Sequence, residues 1–175
     1  MSELAVEPSR TALIVIDLQV RIVGMQTGPR GGADVVRAAM RLADAAREAG
    51  ALVVIVQAER PGVDEQPPGS ELVGEMEPRP GDLLITKRAW NAFHETGLHE
   101  KLAGQGIDTV VVAGLMTNAG VESTARTASD HDYRVVLPHD AMAGFTAEAH
   151  RFAVETIFPL LGDVATTDDV LAALR

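Results

Sequence analysis

Short apolar runs recur along this chain, and longer stretches with helical spacing separate them. The runs are TALIVI (11–16), LVVIV (52–56), LLIT (83–86), TVVVA (109–113), RVVL (134–137) and DVA (163–165). Apolar strands of this length that alternate with helices predict a parallel sheet with helices on both of its faces. We therefore expect an α/β chain with a three-layer α/β/α, Rossmann-like fold and a mostly parallel sheet of about six strands.

Between the strands, the spacing of apolar residues predicts five helices. They span 34–50, 97–106, 118–130, 146–158 and 167–174. The segment 61–80 is rich in Pro, Gly and Glu and predicts a long loop with one helical turn around 70–76, which serves as a lid or an oligomer contact. Because strands lie on both sides of this loop, we expect the 175 residues to form a single domain, 1–175.

The composition narrows the range of partners. The formal net charge is −10, which argues against nucleic acid or an anionic membrane as the main partner but leaves a small anion possible in a local pocket. The chain has no cysteine, so disulfides, thiolate metal sites and thiol catalysis are excluded. MSELAVEPSR at the N-terminus lacks a signal-peptide pattern, and no apolar run is long enough to span a membrane. We expect a cytoplasmic protein that acts on a small molecule.

Parallel α/β sheets bind ligands beyond the carboxyl ends of their strands, so the residues at those ends are candidates for a site. Asp17 follows the first strand. A carboxylate is costly to bury at this place unless it has a charged partner or a role in the chemistry, which favours a general acid or base. The alternative is that Asp17 is a turn residue. Lys87 follows the third strand and is a candidate cation beside Asp17; the alternative is a solvated basic pair with Arg88.

Two further segments at strand ends carry candidates for binding. Trp90 and Phe93 are expected to form an apolar substrate wall, to make a subunit contact, or to seal the sheet edge. The segment GLMTNAG (114–120) precedes a predicted helix, whose N-terminus offers N–H groups and a positive dipole to an anion. The alternative is an ordinary strand–turn–helix connection with Asn118 as the N-cap.

Two other kinds of site have little support. The histidines show no HxH or HxxxH spacing, so we expect no metal, and no motif indicates a cofactor. The five histidines are His94, His99, His131, His139 and His150. Ser123 lies outside any GxSxG motif, which argues against a serine-hydrolase nucleophile.

Three ordered motifs resemble those of the isochorismatase-like hydrolase superfamily. TALIVIDLQ is similar to the opening strand aLlviDmQ of that family, and KRAWNAF resembles KxxxSAF with Asn91 in place of Ser. GLMTNAGVESTARTA resembles the signature GxxTNxCVESTARDA. The later DYRVVLPHDAMAG and the C-terminal tail are also similar to members of the family. The resemblance covers nearly the whole chain.

The resemblance implies a Rossmann-like fold and, in most members, hydrolysis of amides or nitriles by an Asp–Lys–Cys triad. By position the aspartate is Asp17, the lysine is Lys87, and the cysteine position is Gly120. A cis peptide is implied between Leu115 and Met116. The residues expected to contact the substrate are Gln19, Glu59, Arg60, Trp90, Phe93, Met116, Thr117 and Ala119.

Gly120 departs from the triad, and this departure directs the functional prediction. Glycine cannot attack a carbonyl, so the acyl-enzyme route is closed. The isochorismatases of the superfamily also lack the cysteine; their aspartate protonates the methylene carbon of a vinyl ether, and water then adds. The leading prediction is a cysteine-independent hydrolase in which Asp17 is the general acid, Lys87 is its electrostatic partner, and the N–H groups of Ala119 and Gly120 line the pocket.

Two alternatives remain open from the sequence. The chain is a catalytically impaired member that binds a small molecule or acts as a scaffold, or it is an amidohydrolase whose cysteine at position 120 was replaced. Isochorismatases also carry Gln after the second strand, where this chain has Glu59 and Arg60; Arg60 is a candidate to bind a substrate carboxylate bidentately. The resemblance further implies a homodimer or homotetramer, with 61–80 and the apolar region 145–158 as candidate contacts.

Overall fold

Seven β-strands form one sheet in the computed structural model, which describes residues 4–175. The strands are β1 (Thr11–Ile16), β2 (Leu52–Ala58), β3 (Leu83–Lys87), β4 (Thr109–Leu115), β5 (Arg134–Pro138), β6 (Met142–Ala143) and β7 (Asp163–Ala165). Their order across the sheet is β3-β2-β1-β4-β5-β7, and β6 pairs with β4. All pairings between these strands are parallel, which confirms the predicted fold class.

Helices connect the strands. They are α1 (Val20–Val23), α2 (Gly32–Ala49), α3 (Leu98–Gly104), α4 (Glu122–Asp130), α5 (Ala147–Phe152), α6 (Phe158–Leu161) and α7 (Thr167–Ala173). A π-helical turn, Thr117–Val121, leads into α4, and a second, Ala153–Ile157, joins α5 to α6. Short 3₁₀ turns lie at Pro8–Arg10, Gly74–Met76 and His139–Ala141.

The strand β1 shows why the molecule has three layers. Its six residues are all buried, and successive side chains point to opposite faces of the sheet. Leu13 belongs to an apolar cluster with Leu42 of α2, whereas Ile14 belongs to a second cluster with Leu102 of α3. Helices therefore cover the sheet on both faces, and the carboxyl end of β1 opens at one edge between the two layers.

Several element boundaries differ from the sequence prediction. The sheet has seven strands rather than about six, because the two-residue β6 is too short to give a recognisable run. The predicted continuous helix 146–158 is instead α5, a π-helical turn and α6. In the loop 61–80 the helical turn is the 3₁₀ turn Gly74–Met76. None of the helices between residues 4 and 175 combines the length and apolarity that a bilayer crossing requires.

Candidate active site

Asp17 is held in an unusual backbone conformation directly after β1. Its φ is 53°, in the left-handed region that Asp and Asn tolerate better than other non-glycine residues. The backbone N–H of Asp17 donates to Val56 O at 3.0 Å, and its carbonyl accepts from Gln19 N at 2.8 Å. Asp17 is therefore fixed by the end of β2 on one side and by its own chain on the other.

Lys87 is the last residue of β3 and reaches Asp17 over the end of β2. Because β2 separates β3 from β1, the two strands are roughly 10 Å apart, a gap that a lysine side chain helps to span. Lys87 Nζ lies 2.9 Å from Asp17 Oδ2 and donates to Ala89 O at 3.0 Å. The side chains are 2% exposed for Lys87 and 10% exposed for Asp17. The predicted ion pair is present, and the alternative of a solvated pair of Lys87 with Arg88 is wrong.

The two oxygens of Asp17 have different surroundings. Oδ2 accepts from Lys87, whereas Oδ1 is enclosed and has no hydrogen-bond partner among residues 4–175. Burial raises the pKa of Asp17 above its ordinary value, and the charge and hydrogen bond of Lys87 offset part of this effect. The geometry fits a raised pKa, because an ionised carboxylate needs donors on both oxygens and only one oxygen of Asp17 has a donor here.

Gly120 faces the carboxylate of Asp17. A Cβ atom at position 120 would lie 3.5 Å from Asp17 Oδ2, 3.4 Å from Trp90 O and 3.0 Å from the Cγ2 atom of Ile16. A side chain at 120 would therefore extend into the space beside the ion pair. Glycine leaves that space open.

The segment before Gly120 begins with a cis peptide between Leu115 and Met116, as the resemblance predicted. The N–H of Ala119 donates to Met116 O at 3.1 Å. This bond lies within the turn, and a role of the Ala119 and Gly120 N–H groups toward a substrate stays a prediction. Asn118 does not cap α4: its side-chain Oδ1 accepts from Phe145 N at 3.2 Å.

A cavity of about 250 Å³ opens over the ion pair, close to the lower end of the roughly 300–1,000 Å³ typical of ligand sites. Six predicted site residues line it: Asp17, Lys87, Trp90, Met116, Ala119 and Gly120. The remaining lining residues are Arg21, Ile22, Met25, Leu115 and Phe145.

Three predicted substrate contacts near β2 lie elsewhere. Gln19 is 2% exposed, and its side chain donates to Ala58 O at 2.9 Å, accepts from Ala58 N at 2.8 Å, and also donates to Ser70 O. The side-chain amide of Gln19 therefore links the loop 61–80 to β2 and is not available to a substrate. Glu59 pairs with Arg88 at 3.3 Å, and Arg60 is exposed on the loop, so neither belongs to the lining of the cavity.

Two further predicted contacts are part of the interior. Phe93 is buried and packs against Tyr133, with ring centroids 6.0 Å apart, so it does not form the cavity wall. Thr117 is fully buried, and its hydroxyl lies 2.8 Å from His150 Nδ1. Burial, with the nearby charges of Arg30 and His139, lowers the pKa of His150 to about 4. His150 is therefore neutral behind the turn that carries Gly120.

The residues from 4 to 175 bring together no group of three or more His, Asp or Glu side chains that could hold a metal ion. The cavity lining contains one carboxylate, one ammonium and one guanidinium group, from Asp17, Lys87 and Arg21. This set can donate and accept a proton and can attract an anion. It contains no thiol or hydroxyl side chain that could act as a covalent nucleophile.

Comparisons with known proteins show the family to which this chain belongs. The family model described as "Isochorismatase domain" matches residues 11–169. The isochorismatase family protein YwoC of Bacillus subtilis is 36% identical over 193 aligned residues, which cover 100% of both chains. Streptothricin hydrolase of Streptomyces noursei is 37% identical over 141 residues, which cover 79% of this chain and 56% of that protein. The crystal structure of an isochorismatase family protein from Burkholderia thailandensis superposes with a TM-score of 0.90 at 37% identity and 99% coverage of each chain.

Proposed function

Because this chain belongs to the isochorismatase family, we propose that it hydrolyses a small vinyl ether, or a substrate of similar acid sensitivity, with Asp17 as the general acid. The reaction uses no cysteine nucleophile. A hydrolase role is supported by the family match and by the similarity to streptothricin hydrolase. The observation that carries the proposal is a buried Asp17–Lys87 pair that faces a glycine.

The raised pKa of Asp17 suits the first step. A raised pKa favours the protonated form, and only a protonated carboxyl group can protonate carbon. The proton passes from Asp17 to the terminal methylene carbon of the substrate. The π electrons of the C=C bond form the new C–H bond, and the ether oxygen stabilises the cation on the adjacent carbon. Asp17 is left as a carboxylate.

Lys87 stabilises the charge that this step creates. Its ammonium group already lies 2.9 Å from Asp17 Oδ2, so no rearrangement is needed when the carboxylate forms. Lys87 therefore favours proton release from Asp17, whereas burial favours proton retention and has the larger effect.

The space at Gly120 suits the water of the second step. Because Gly120 has no side chain, the space beyond its Cα stays open beside Asp17 Oδ2 and Trp90 O, two acceptors that can orient a water. The water adds to the cationic carbon and returns a proton to Asp17. The resulting hemiketal separates into an alcohol and a carbonyl compound, and Asp17 is ready for the next turnover.

A comparison of substrate classes tests this proposal. Isochorismate, whose vinyl ether yields pyruvate, is measured with lactate dehydrogenase as the coupling enzyme, and small amides such as nicotinamide are measured by ammonia release. We expect pyruvate and no ammonia. Ammonia release without pyruvate would overturn the proposal, because amide hydrolysis in this site would require another nucleophile.

A second candidate function is binding without turnover, which the missing side chain at Gly120 favours. This chain would then keep the cavity as a binding or scaffold site for a small molecule. Release of neither pyruvate nor ammonia, together with ligand binding that stabilises the fold, would support this candidate.

The assembly and location of the protein stay predictions. The resemblance implies a homodimer or homotetramer, and the exposed apolar residues Phe152 and Leu160 fall within or beside the region expected to make contacts. Light scattering on the eluting protein would distinguish a monomer from these assemblies. The cytoplasmic location is proposed from composition, and cell fractionation tests it.

A further inference from the structure

Arg21 lies in the wall of the cavity, and its guanidinium group has no bonding partner among residues 4–175. Its side chain forms neither an ion pair nor a hydrogen bond with any residue from 4 to 175, although it is exposed to solvent and lines the same cavity as Asp17 and Lys87. In a chain with 25 acidic and 15 basic residues, an arginine has many possible partners. Arg10, Arg47 and Arg134, for example, each pair with an aspartate.

The backbone of Arg21 is anchored, so its guanidinium starts from a fixed position. Arg21 N donates to Gly69 O at 2.8 Å. Gly69 has a φ of +79°, and a Cβ there would come within 3.1 Å of Arg21 Cβ. The loop 61–80 therefore packs closely on this residue, and only a glycine permits the approach.

The charges of the cavity oppose those of the whole molecule. Lys87 and Arg21 contribute two positive groups, and Asp17 contributes at most one negative group. The formal net charge of the chain is −10. A small anion is thus favoured inside this cavity, where Lys87 already contacts Asp17 and Ala89, and Arg21 is the available donor.

The rest of the wall is apolar and partly exposed. Met25, Trp90 and Phe145 line the cavity with 44%, 67% and 45% exposure. Large apolar side chains that remain exposed around a cavity indicate a surface that a ligand covers. An apolar group against these side chains would leave an attached carboxylate free to reach Arg21.

We propose that Arg21 binds a carboxylate of the substrate and that Trp90 and Phe145 hold its apolar part, so the substrate is a small amphiphilic carboxylate. The inference rests on the proposed function, because it takes this cavity to be the substrate site. It assigns to Arg21 the role that the sequence suggested for Arg60. A guanidinium group can bind a carboxylate through two parallel hydrogen bonds, which orients the ligand as well as attracting it.

The intrinsic fluorescence of Trp90 gives a direct test, because it is the only tryptophan in the chain and it lines the cavity. The probes are 3-phenylpropionate and its uncharged amide, 3-phenylpropanamide, which differ only in the charged group. We expect the acid to bind about tenfold more tightly than the amide. This preference should disappear in Arg21→Gln, persist in part in Arg21→Lys, and persist in full in Arg60→Gln.

The outcomes separate this inference from the proposed reaction. Equal binding of the two probes by the unmodified protein, no binding of either at tens of millimolar, or a preference that survives in Arg21→Gln would each overturn it. Because the titration measures binding alone, a protein that releases no pyruvate can still show the preference. A protein that releases pyruvate but shows no preference would retain the reaction and lose the assignment of Arg21.

Discussion

The Cβ position of Gly120 points at Asp17 Oδ2 across 3.5 Å. A cysteine at this position would direct its sulfur into the space beside the Asp17–Lys87 pair, whereas glycine leaves that space to a water or to the reacting atom of the substrate. We propose that this open space serves the reaction of this chain, with Asp17 as its acid.

Gly120→Ala tests the need for room. The added methyl group meets the Cγ2 atom of Ile16 at 3.0 Å, which requires a shift of a few tenths of an ångström, and it narrows the space that we propose for the water. We expect kcat to fall at least tenfold, which corresponds to a rise of about 1.4 kcal/mol in activation free energy. The free energy of unfolding should change by less than about 1 kcal/mol. Gly104→Ala, at an exposed site with nothing within 4 Å, is the matched control. Full activity in Gly120→Ala would show that no water is needed there.

Lys87→Met tests the electrostatic partner. The charge and hydrogen bond of Lys87 lower the pKa of Asp17, so their removal raises that pKa further. Since the acid form is the active one, the fall of kcat/KM at high pH should move to higher pH, while the maximum rate decreases. A pH–rate profile measures both effects. If kcat/KM of Lys87→Met falls at the same pH as that of the unmodified protein, Asp17 is not the group that controls this fall.

The stability of Lys87→Met should also depend on pH. Without Lys87, the negative charge of the buried Asp17 carboxylate has no positive partner, so this charge is unfavourable unless Asp17 is protonated. We expect a loss of about 3 kcal/mol at pH 8 and a smaller loss at pH 5, where protonation is easier. Urea unfolding at the two pH values provides the comparison. Equal losses at both would mean that the ion pair does not control the charge of Asp17.

Asp17 itself should link stability to pH. Its pKa is raised in the folded protein, so between the ordinary value of 3.8 and the folded value the native state holds a proton that the unfolded state releases. The contribution of Asp17 to stability is therefore present at low pH and is lost as the pH rises through this window. The difference in unfolding free energy between the unmodified protein and Asp17→Asn should change in favour of the variant as the pH rises. A pH-independent difference would contradict the raised pKa.

His150 should have the opposite effect on stability. Its pKa falls from 6.5 to about 4 on folding, so protonation below pH 6.5 favours the unfolded state. Stability is complete above pH 6.5 and is lost as the pH falls toward 4, by up to about 3 kcal/mol. His150→Gln should remove this dependence, whereas His94→Gln, at an exposed site, should leave it unchanged. If the free energy of unfolding of His150→Gln still decreases toward pH 4 as in the unmodified protein, another group causes this dependence.

The parts of the fold that the sequence predicted are those that local patterns determine. The run Thr11–Ile16 is β1 to the residue, because six buried residues give an uninterrupted apolar signal bounded by Asp17. Asp17 and Lys87 could be found because the carboxyl ends of parallel strands meet at one edge. β6 has two residues and no such signal, so only the tertiary pairing with β4 defines it.

The direction in which side chains point was harder to predict. Gln19 and Thr117 are polar residues near the Asp17–Lys87 pair. The side chain of Gln19 bonds to Ala58, however, and that of Thr117 bonds to His150. Phe93 packs into the interior, while Trp90, three residues earlier, stays exposed at the cavity. Arg21 was missed because a charged residue in a short helix has no pattern that separates a cavity wall from a solvated surface.

The most direct test of the central claim is the rate of pyruvate release from isochorismate by Asp17→Asn, compared with the unmodified protein. The variant keeps the shape of the side chain and removes the transferable proton. Binding of 3-phenylpropionate, followed by Trp90 fluorescence, reports that the cavity is still formed. The account predicts a loss of at least about a hundredfold in rate with the probe still bound. A rate within a few-fold of the unmodified protein would contradict it, because the proton would then come from another group.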